Sequence, residues 1–246
     1  MFQNHLLQLF SLVAMEPPAS FEADSIRNEK VKLLSAIRPV PLSDTVRAQY
    51  DGYHEAEGVV PNSQTPTYAL LKLQVDNWRW KGVPFYLRSG KALKEKTSQI
   101  VIQFKEPPHV LFPLPDNYQI TSNVLAICVQ PDEGVHLRFE AKVPDTAAEM
   151  RSVLMDFHYE DSFGSEAIPD AYERLLLDTI QRDASLFARS DGIETAWRII
   201  DPILEGWHSP QAPLMTRYKP GSWGPAEADE LLAQEGRKWL RGCGEH

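Results

Sequence analysis

The sequence contains very little cysteine. Only Cys128 and Cys243 occur among 246 residues, and Cys243 lies in a C-terminal run of glycines and charged residues. We expect neither a disulfide framework nor a zinc site from so few cysteines. This composition is typical of a protein of a reducing compartment, and we expect a cytoplasmic location.

Long apolar runs are missing as well. The one segment that resembles a targeting signal, residues 5–15, has no Lys or Arg before it and is interrupted by Gln8. It is shorter than the roughly 20 apolar residues that cross a bilayer. We therefore expect a soluble protein that does not bind membranes.

Positive charge is in deficit. The 34 acidic residues outnumber the 25 Lys and Arg residues, which gives a net charge of −9. General affinity for nucleic acid is not expected, since it requires a basic face. Hydrophobic residues at 43% and charged residues at 24% are ordinary for a folded chain and exclude disordered and fibrous classes.

Short motifs for common chemistries are also lacking. The sequence has no GxGxxG, no GxxxxGK[ST] and no GxSxG, so nucleotide-binding loops and serine nucleophiles have no local signature. None of the seven histidines is spaced from Cys, His or acidic residues as a metal ligand set requires. We therefore expect no metal site.

Hydrophobic periodicity predicts the secondary structure. A period near 3.6 predicts helices over residues 3–15, 22–37, 169–181, 191–204 and 225–235, and a period of two predicts strands over 68–75, 84–88, 99–104, 124–129, 135–141 and 153–158. Residues 51–66 and 106–116 read as loops. Helices, then strands, then helices indicate an α+β fold, with a large, mostly antiparallel β-sheet and flanking helices.

A basic segment suggests an anion site. Residues 79–96 hold six Lys and Arg residues against Glu95 alone. Ser89 and Gly90 place backbone N–H groups beside Lys91, an arrangement that suits a phosphate or a sugar phosphate. The alternative is a solvated strand end whose charges discourage edge pairing.

His5 is the candidate base. It lies at the start of an apolar helix, beside Gln3 and Asn4, where a helix N-terminus favours a neutral imidazole. A neutral imidazole can accept a proton from a substrate. The alternative is a capping or surface histidine.

Several motifs resemble one enzyme family in order along the chain. They are QNHLLQ (3–8), VAMEPP (13–18), RNEKVK (27–32), WKGVPF (80–85), RSGKAL (88–93), VQP (129–131), PDAYERL (169–175) and GPAEADEL (224–231). Together they resemble glucose-6-phosphate dehydrogenase. The resemblance implies that residues 1–246 are the family's C-terminal substrate-binding and oligomerisation domain, without its NADP-binding Rossmann domain.

The resemblance also implies residue roles. His5 would be the general base that removes the C1 hydroxyl proton of glucose 6-phosphate while hydride leaves for NADP, forming 6-phosphoglucono-1,5-lactone, the first step of the oxidative pentose phosphate pathway. Lys91, Lys96 and Gln130 would line the substrate site. The aspartate that orients the histidine in the family is absent here, so we expect this chain alone to be inactive.

Further implications concern cofactor and assembly. Some members hold a second, structural NADP with arginines that would fall at Val101, Cys128 and Trp223, and we expect no such site here because these residues are not basic. A homodimer or homotetramer through the β-sheet is expected. The competing hypothesis is a non-catalytic oligomerisation or partner-binding module.

Overall fold

The chain folds into two units. The computed structural model describes residues 1–107, 109, 120–146, 149–164, 171–240 and 242–243. Unit 1 consists of residues 1–94 and 171–237, and unit 2 of residues 95–170 and 238–246. The chain therefore begins unit 1, forms most of unit 2, completes unit 1 and ends in unit 2.

The helices and strands alternate irregularly along the chain. A turn of π-helix, Phe2–Leu6, leads into the helices α1 (Leu7–Ala14), α2 (Ala23–Ser35), α3 (Tyr159–Phe163), α4 (Ala171–Gln181), α5 (Ser190–Trp207) and α6 (Ala226–Ala233). The strands are β1 (Thr45–Tyr50), β2 (Tyr68–Gln74), β3 (Pro84–Gly90), β4 (Ser98–Gln103), β5 (Val124–Gln130), β6 (Gly134–Lys142), β7 (Met150–His158) and β8 (Met215–Tyr218).

Unit 1 is built on a mixed sheet with the strand order β3-β2-β1-β8. The pairs β3–β2 and β2–β1 are antiparallel, whereas β8 runs parallel to β1 with Arg47 opposite Met215 and Tyr50 opposite Tyr218. A parallel neighbour requires a long connection, and here the connection from β1 to β8 contains β2, β3, residues 95–170 of unit 2 and helices α4 and α5.

The core of unit 1 lies between this sheet and the helices α1, α2 and α5. In α5, Ala196, Ile200, Ile203 and Trp207 recur every three or four residues and are all buried, as one face of a helix requires. They join buried residues of the other elements in one cluster: Leu7, Phe10, Ala14, Leu33, Leu34, Ala69, Leu71, Leu73, Val75 and Leu87. The buried face of α5 thus supplies one side of the core.

A buried arginine ties the sheet to the end of α5. Arg47 in β1 is 9% exposed, and its guanidinium donates to the carbonyl oxygens of Trp207 at 2.7 Å and Pro213 at 2.9 Å. The indole N–H of Trp207 donates to Thr45 Oγ1 at 3.0 Å. Burial lowers the pKa of Arg47 below its ordinary value, but an arginine stays charged in proteins. The charge is therefore stabilised by the two carbonyl dipoles.

Unit 2 contains an antiparallel sheet with the order β4-β5-β6-β7. In β5, Val124, Ala126 and Cys128 are buried and alternate with more exposed residues, the pattern of a strand with one covered face. His158 at the end of β7 contacts Asp132 Oδ1 through Nδ1 at 3.0 Å, and this carboxylate raises the pKa of His158 above its ordinary value. The contact joins β7 to the β5–β6 turn.

The expected absence of disulfides is wrong. Cys128 of β5 forms a disulfide with Cys243, 115 positions away in sequence. The two sulfurs meet because the C-terminal residues return to unit 2 and lie against β4 and β5. Gly242 lies so close to β5 that an added Cβ would be 2.2 Å from Cβ of Ala126.

The predicted α+β class and the mostly antiparallel strand order are confirmed. The large sheet that we expected is divided, within the described residues, into two sheets of four strands each. The helix expected over 22–37 begins at Ala23 and ends at Ser35. The start of the helix expected at 169 and most of the 106–116 loop lie outside the described residues. In the described part of the chain, each helix is too short or too polar to cross a membrane.

We expect Arg47→Met to destabilise unit 1 strongly. The substitution keeps much of the side-chain volume but leaves the carbonyls of Trp207 and Pro213 without their donor, at a cost of about 2–4 kcal/mol. Arg217→Met is the matched control, since Arg217 lies exposed on the neighbouring strand β8 and its replacement should change stability by less than about 0.5 kcal/mol. Urea unfolding of both variants measures the difference, and equal midpoints would contradict this role of Arg47.

Candidate functional site

His5 lies on the exposed side of the first helical turn. Phe2 and Leu6 pack against the core of unit 1, whereas Asn4 and His5 face solvent. The turn has a π-helical backbone with no capping hydrogen bond from a side chain, so neither Asn4 nor His5 caps it. The imidazole is therefore accessible to a ligand that approaches from solvent.

Lys91 follows directly after strand β3. Gly90, the last residue of β3, packs against the buried ring of Tyr68, and a Cβ at this position would lie 2.8 Å from Tyr68 Cδ2. Lys91 N–H donates to the carbonyl oxygen of Thr67 at 2.8 Å. Glycine is therefore needed for the chain to turn closely over Tyr68 and bring Lys91 to the end of the sheet.

The hydroxyl of Tyr218 fixes the Lys91 backbone. It donates to the carbonyl oxygen of Lys91 at 2.7 Å and lies 3.0 Å from Thr67 Oγ1. Tyr218 is the last residue of β8 and is buried. A buried hydroxyl with good hydrogen bonds restrains its partners, so the position of Lys91 depends on the register of β8.

The turn that follows β8 holds the other side of the segment after Lys91. Gly221 N–H donates to the carbonyl oxygen of Ala92, and Lys94 N–H donates to that of Ser222, both at 2.8 Å. Ala92 has a φ of 50°, a left-handed conformation that is unfavourable for alanine and persists only when neighbours impose it. Residues 91–94, which we call the lysine loop, are thus held from two sides.

Ion pairing decides which cations of the basic segment remain available. Arg79 pairs with Glu16 at 3.0 Å, and Lys81 pairs with Asp76 at 2.8 Å. Arg88 stacks over the ring of Trp223 at 5.5 Å. Lys91, Lys94 and Lys96 are exposed, and within the described ranges none of the three pairs with a carboxylate. The available positive charge is therefore concentrated at the end of the segment.

Lys96 and Gln130 belong to unit 2. Ser98 at the start of β4 pairs with Gln130 at the end of β5, and Thr97 Oγ1 donates to the carbonyl oxygen of Gln130 at 3.1 Å. Both Lys96 and Gln130 are exposed. The sheet therefore brings these two predicted site residues to the same end of one strand pair. His5 and Lys91 lie in unit 1, and the described residues show no hydrogen bond between their side chains.

A cavity of about 260 Å³ lies elsewhere in unit 1. Its cations are already paired, because Arg38 binds Asp76 through two hydrogen bonds and Lys72 contacts Asp44 and Glu235. It is lined by Arg38, Pro39, Val40, Pro41, Asp44, Lys72 and Gln74. Since its charges are neutralised, this cavity is less suited to an anionic ligand than the lysine loop.

The positions of the family's structural NADP do not fit an anionic cofactor. Cys128 is bonded to Cys243, and Val101 lies 3.3 Å from the position that a Cβ on Gly242 would take. Trp223 packs against Arg88 and supplies no charge itself. Within the described residues no group of three or more His, Cys, Asp or Glu side chains is arranged for a metal ion.

The fold resembles solved dehydrogenase structures. The X-ray crystal structure of glucose-6-phosphate 1-dehydrogenase from Mycobacterium avium matches with a TM-score of 0.82 and 36% identity over 98% of this chain and 50% of that chain. A glucose-6-phosphate dehydrogenase in complex with its substrate glucose-6-phosphate matches with a TM-score of 0.88 and 36% identity over 97% of this chain and 50% of that chain. The fold is therefore that of part of a dehydrogenase.

The sequence comparison identifies the family. Residues 1–240 match the family described as glucose-6-phosphate dehydrogenase, C-terminal domain, and the chain belongs to that family. It is 44% identical to glucose-6-phosphate 1-dehydrogenase of Aggregatibacter actinomycetemcomitans over 99% of this chain and 51% of the relative. The relative from Chlamydia trachomatis is also 44% identical, over 97% of this chain and 57% of its own length. The chain thus spans about half the length of these relatives.

We expect Tyr218→Phe to loosen the lysine loop without unfolding unit 1. The substitution removes one hydroxyl and its hydrogen bond to Lys91, at a cost of about 1 kcal/mol. Tyr50→Phe is the matched control, because its ring contacts that of Tyr218 and its hydroxyl has no hydrogen bond within the described residues. Hydrogen exchange at the amides of Lys91 and Lys94 should accelerate in Tyr218→Phe only. Equal exchange in both variants would contradict the proposed restraint.

Proposed function

We propose that this chain is the substrate-binding and assembly domain of an NADP-dependent glucose-6-phosphate dehydrogenase, acting in the oxidative pentose phosphate pathway of the cytoplasm. The enzyme would oxidise glucose 6-phosphate to 6-phosphoglucono-1,5-lactone. The observation that carries the proposal is the lysine loop of a family member, which is held from two sides and bears cations that pair with no carboxylate among the described residues. A similar solved structure is described as a complex with glucose-6-phosphate, which supports this ligand.

In this proposal His5 is the general base. Its exposed imidazole accepts the proton of the C1 hydroxyl, so that the C1–O bond gains double-bond character as hydride leaves C1. NADP supplies the hydride acceptor when it is bound. A neutral imidazole carries a nitrogen lone pair that can accept this proton, which suits a histidine for the transfer.

The basic and amide side chains would bind the sugar phosphate. Lys91 supplies charge to the phosphate from a fixed backbone position, and Lys96 supplies a second positive charge from unit 2. A lysine interacts with phosphate as a point charge, without the paired hydrogen bonds of an arginine. Gln130 offers an amide for a sugar hydroxyl.

The catalytic NADP would be bound mainly by residues outside this chain. The 246 residues contain no glycine-rich dinucleotide loop, and the described residues show no substitute for one. In this proposal the chain binds the substrate and removes its proton. A Rossmann domain, which the other half of the relatives would supply, binds the cofactor.

The sheet of unit 2 supports assembly into a homodimer or homotetramer. β7 is an edge strand in the described sheet and is exposed on both faces. It carries Leu154, Met155 and Phe157, which are 50%, 60% and 37% exposed. A nine-residue edge strand with exposed apolar side chains favours pairing with another strand, and a second copy offers the same edge with two-fold symmetry.

The same exposed edge favours the alternative function, a non-catalytic oligomerisation or partner-binding module. Such a module would need neither His5 nor unpaired lysines beside a rigid loop. Kinetic measurements on site variants distinguish the two functions, because only the enzyme loses turnover or substrate affinity when these side chains change.

We expect distinct kinetic effects of the site residues in this chain fused to the N-terminal half of the Aggregatibacter relative. His5→Asn should lower kcat by about 100-fold or more with little change in KM, since the proton moves only in the transition state. Lys91→Ala should raise KM by about tenfold or more, because it removes a contact that is present in the bound substrate. Lys96→Ala should act in the same direction but more weakly.

The controls for these measurements are exposed residues of the same types. His208 and Lys32 lie on the helical surface of unit 1. His208→Asn and Lys32→Ala should therefore leave both kcat and KM unchanged. The unfused chain should produce no NADPH. Full turnover in His5→Asn would show that His5 is only a surface residue and would favour the alternative module.

We expect the chain to sediment as a dimer or larger assembly at micromolar concentration, and Met155→Lys to shift it towards the monomer. The added charge on the β7 edge opposes pairing with a second copy. Val60→Lys is the control, since Val60 is 70% exposed and lies in the loop between β1 and β2 of unit 1. A monomeric unmodified chain, or an assembly that Met155→Lys leaves intact, would contradict assembly through β7.

A further inference from the structure

The proposed reaction uses neither cysteine, yet the structure joins them across unit 2. Cys128 lies within the interior strand β5 and is 5% exposed. Cys243 lies in the C-terminal segment and is only partly buried. A disulfide whose second cysteine is only partly buried can be attacked from solvent at that cysteine.

The C-terminal segment, residues 238–240 and 242–243, has no regular secondary structure. It lies against the face of β4 and β5, where Cys243 N–H donates to Gln99 Oε1 at 3.2 Å and Gly242 packs against Ala126 and Val101. An irregular segment loses conformational entropy when it is ordered. The disulfide reduces this cost, because it keeps the segment close to the sheet.

We infer that residues 238–240 and 242–243 form a redox-controlled strap, which a dithiol reductant opens at the Cys128–Cys243 disulfide. A thiolate of the reductant attacks Cys243 Sγ, the sulfur–sulfur bond breaks, and Cys128 leaves as a thiolate that takes up a proton. The second thiol of the reductant then displaces Cys243, which is released as a thiol. The protein disulfide is reduced by two electrons, and the dithiol is oxidised to a disulfide.

Opening the strap changes the surface of unit 2. The segment is freed from β4 and β5, and the apolar side chains of Val101 and Ala126 lose the cover of Gly242. The buried thiol of Cys128 becomes accessible at the same time. The redox state of one bond therefore decides whether this sheet face is covered. This inference does not rest on the proposed enzymatic function, since the strap contains none of the proposed site residues.

Limited trypsin digestion of the purified chain tests the strap. Arg237 directly precedes the strap and Lys238 is its first residue, and both are exposed, so cleavage after them reports the mobility of the strap. Dithiothreitol should accelerate cleavage there about tenfold, because proteolysis follows the population of the open segment. Cleavage after the exposed Lys105, elsewhere in unit 2, should be unchanged.

The variant Cys243→Ser provides the matched comparison. It changes a partly exposed position and should be cleaved rapidly with or without dithiothreitol. Alkylation followed by mass measurement shows the redox state, with two modified cysteines expected only after reduction. Two modified cysteines without reductant, or unchanged cleavage after complete reduction, would overturn the strap.

Discussion

The buried guanidinium of Arg47 is the constraint on which the rest of unit 1 depends. Its hydrogen bonds to the carbonyl oxygens of Trp207 and Pro213 fix the end of α5 and the approach to β8 against the strand β1. The parallel register of β8 then places Tyr218 at the end of the sheet. Through the Tyr218 hydroxyl, the same register determines where the backbone of Lys91 lies. A buried charge held by two backbone carbonyls thus sets the geometry of an exposed loop.

The fold was predictable from sequence where local pattern and tertiary environment agree. The strands β2 to β7 carry apolar residues at strand spacing, and each was found within a few residues of its observed bounds. The strand β1 was given no bounds, although its polar and apolar residues alternate as in a strand; the burial of Arg47 and Gln49 on its second face could not be read from this pattern. β8 has only four residues, and its partner lies about 170 positions away. The division into two sheets depends on strand partners, which periodicity does not encode.

The residues of the candidate site could be predicted from sequence motifs, but their arrangement in space could not. The count of basic residues over 79–96 includes Arg79 and Lys81, whose carboxylate partners lie elsewhere in the sequence or on a neighbouring turn. Only the folded structure shows that the free charge is concentrated near Lys91. The roles of His5 and Lys91 came from the family resemblance and not from spacing. The pairing of Cys128 with Cys243 had no local signal at all, because it depends on the path of the C-terminal residues.

The division of unit 1 between two segments of the chain has a consequence for biosynthesis. A ribosome releases residues 1–94 long before α5 and β8, so β1 is first exposed with an open edge and a core that lacks the face of α5. At 5–20 residues per second, β8 follows residue 94 after roughly 6–25 seconds. Unit 2 is made entirely within that interval, apart from its C-terminal strap. During translation, residues 1–94 must therefore remain soluble while their sheet is incomplete. A chaperone would protect the nascent chain most at this stage.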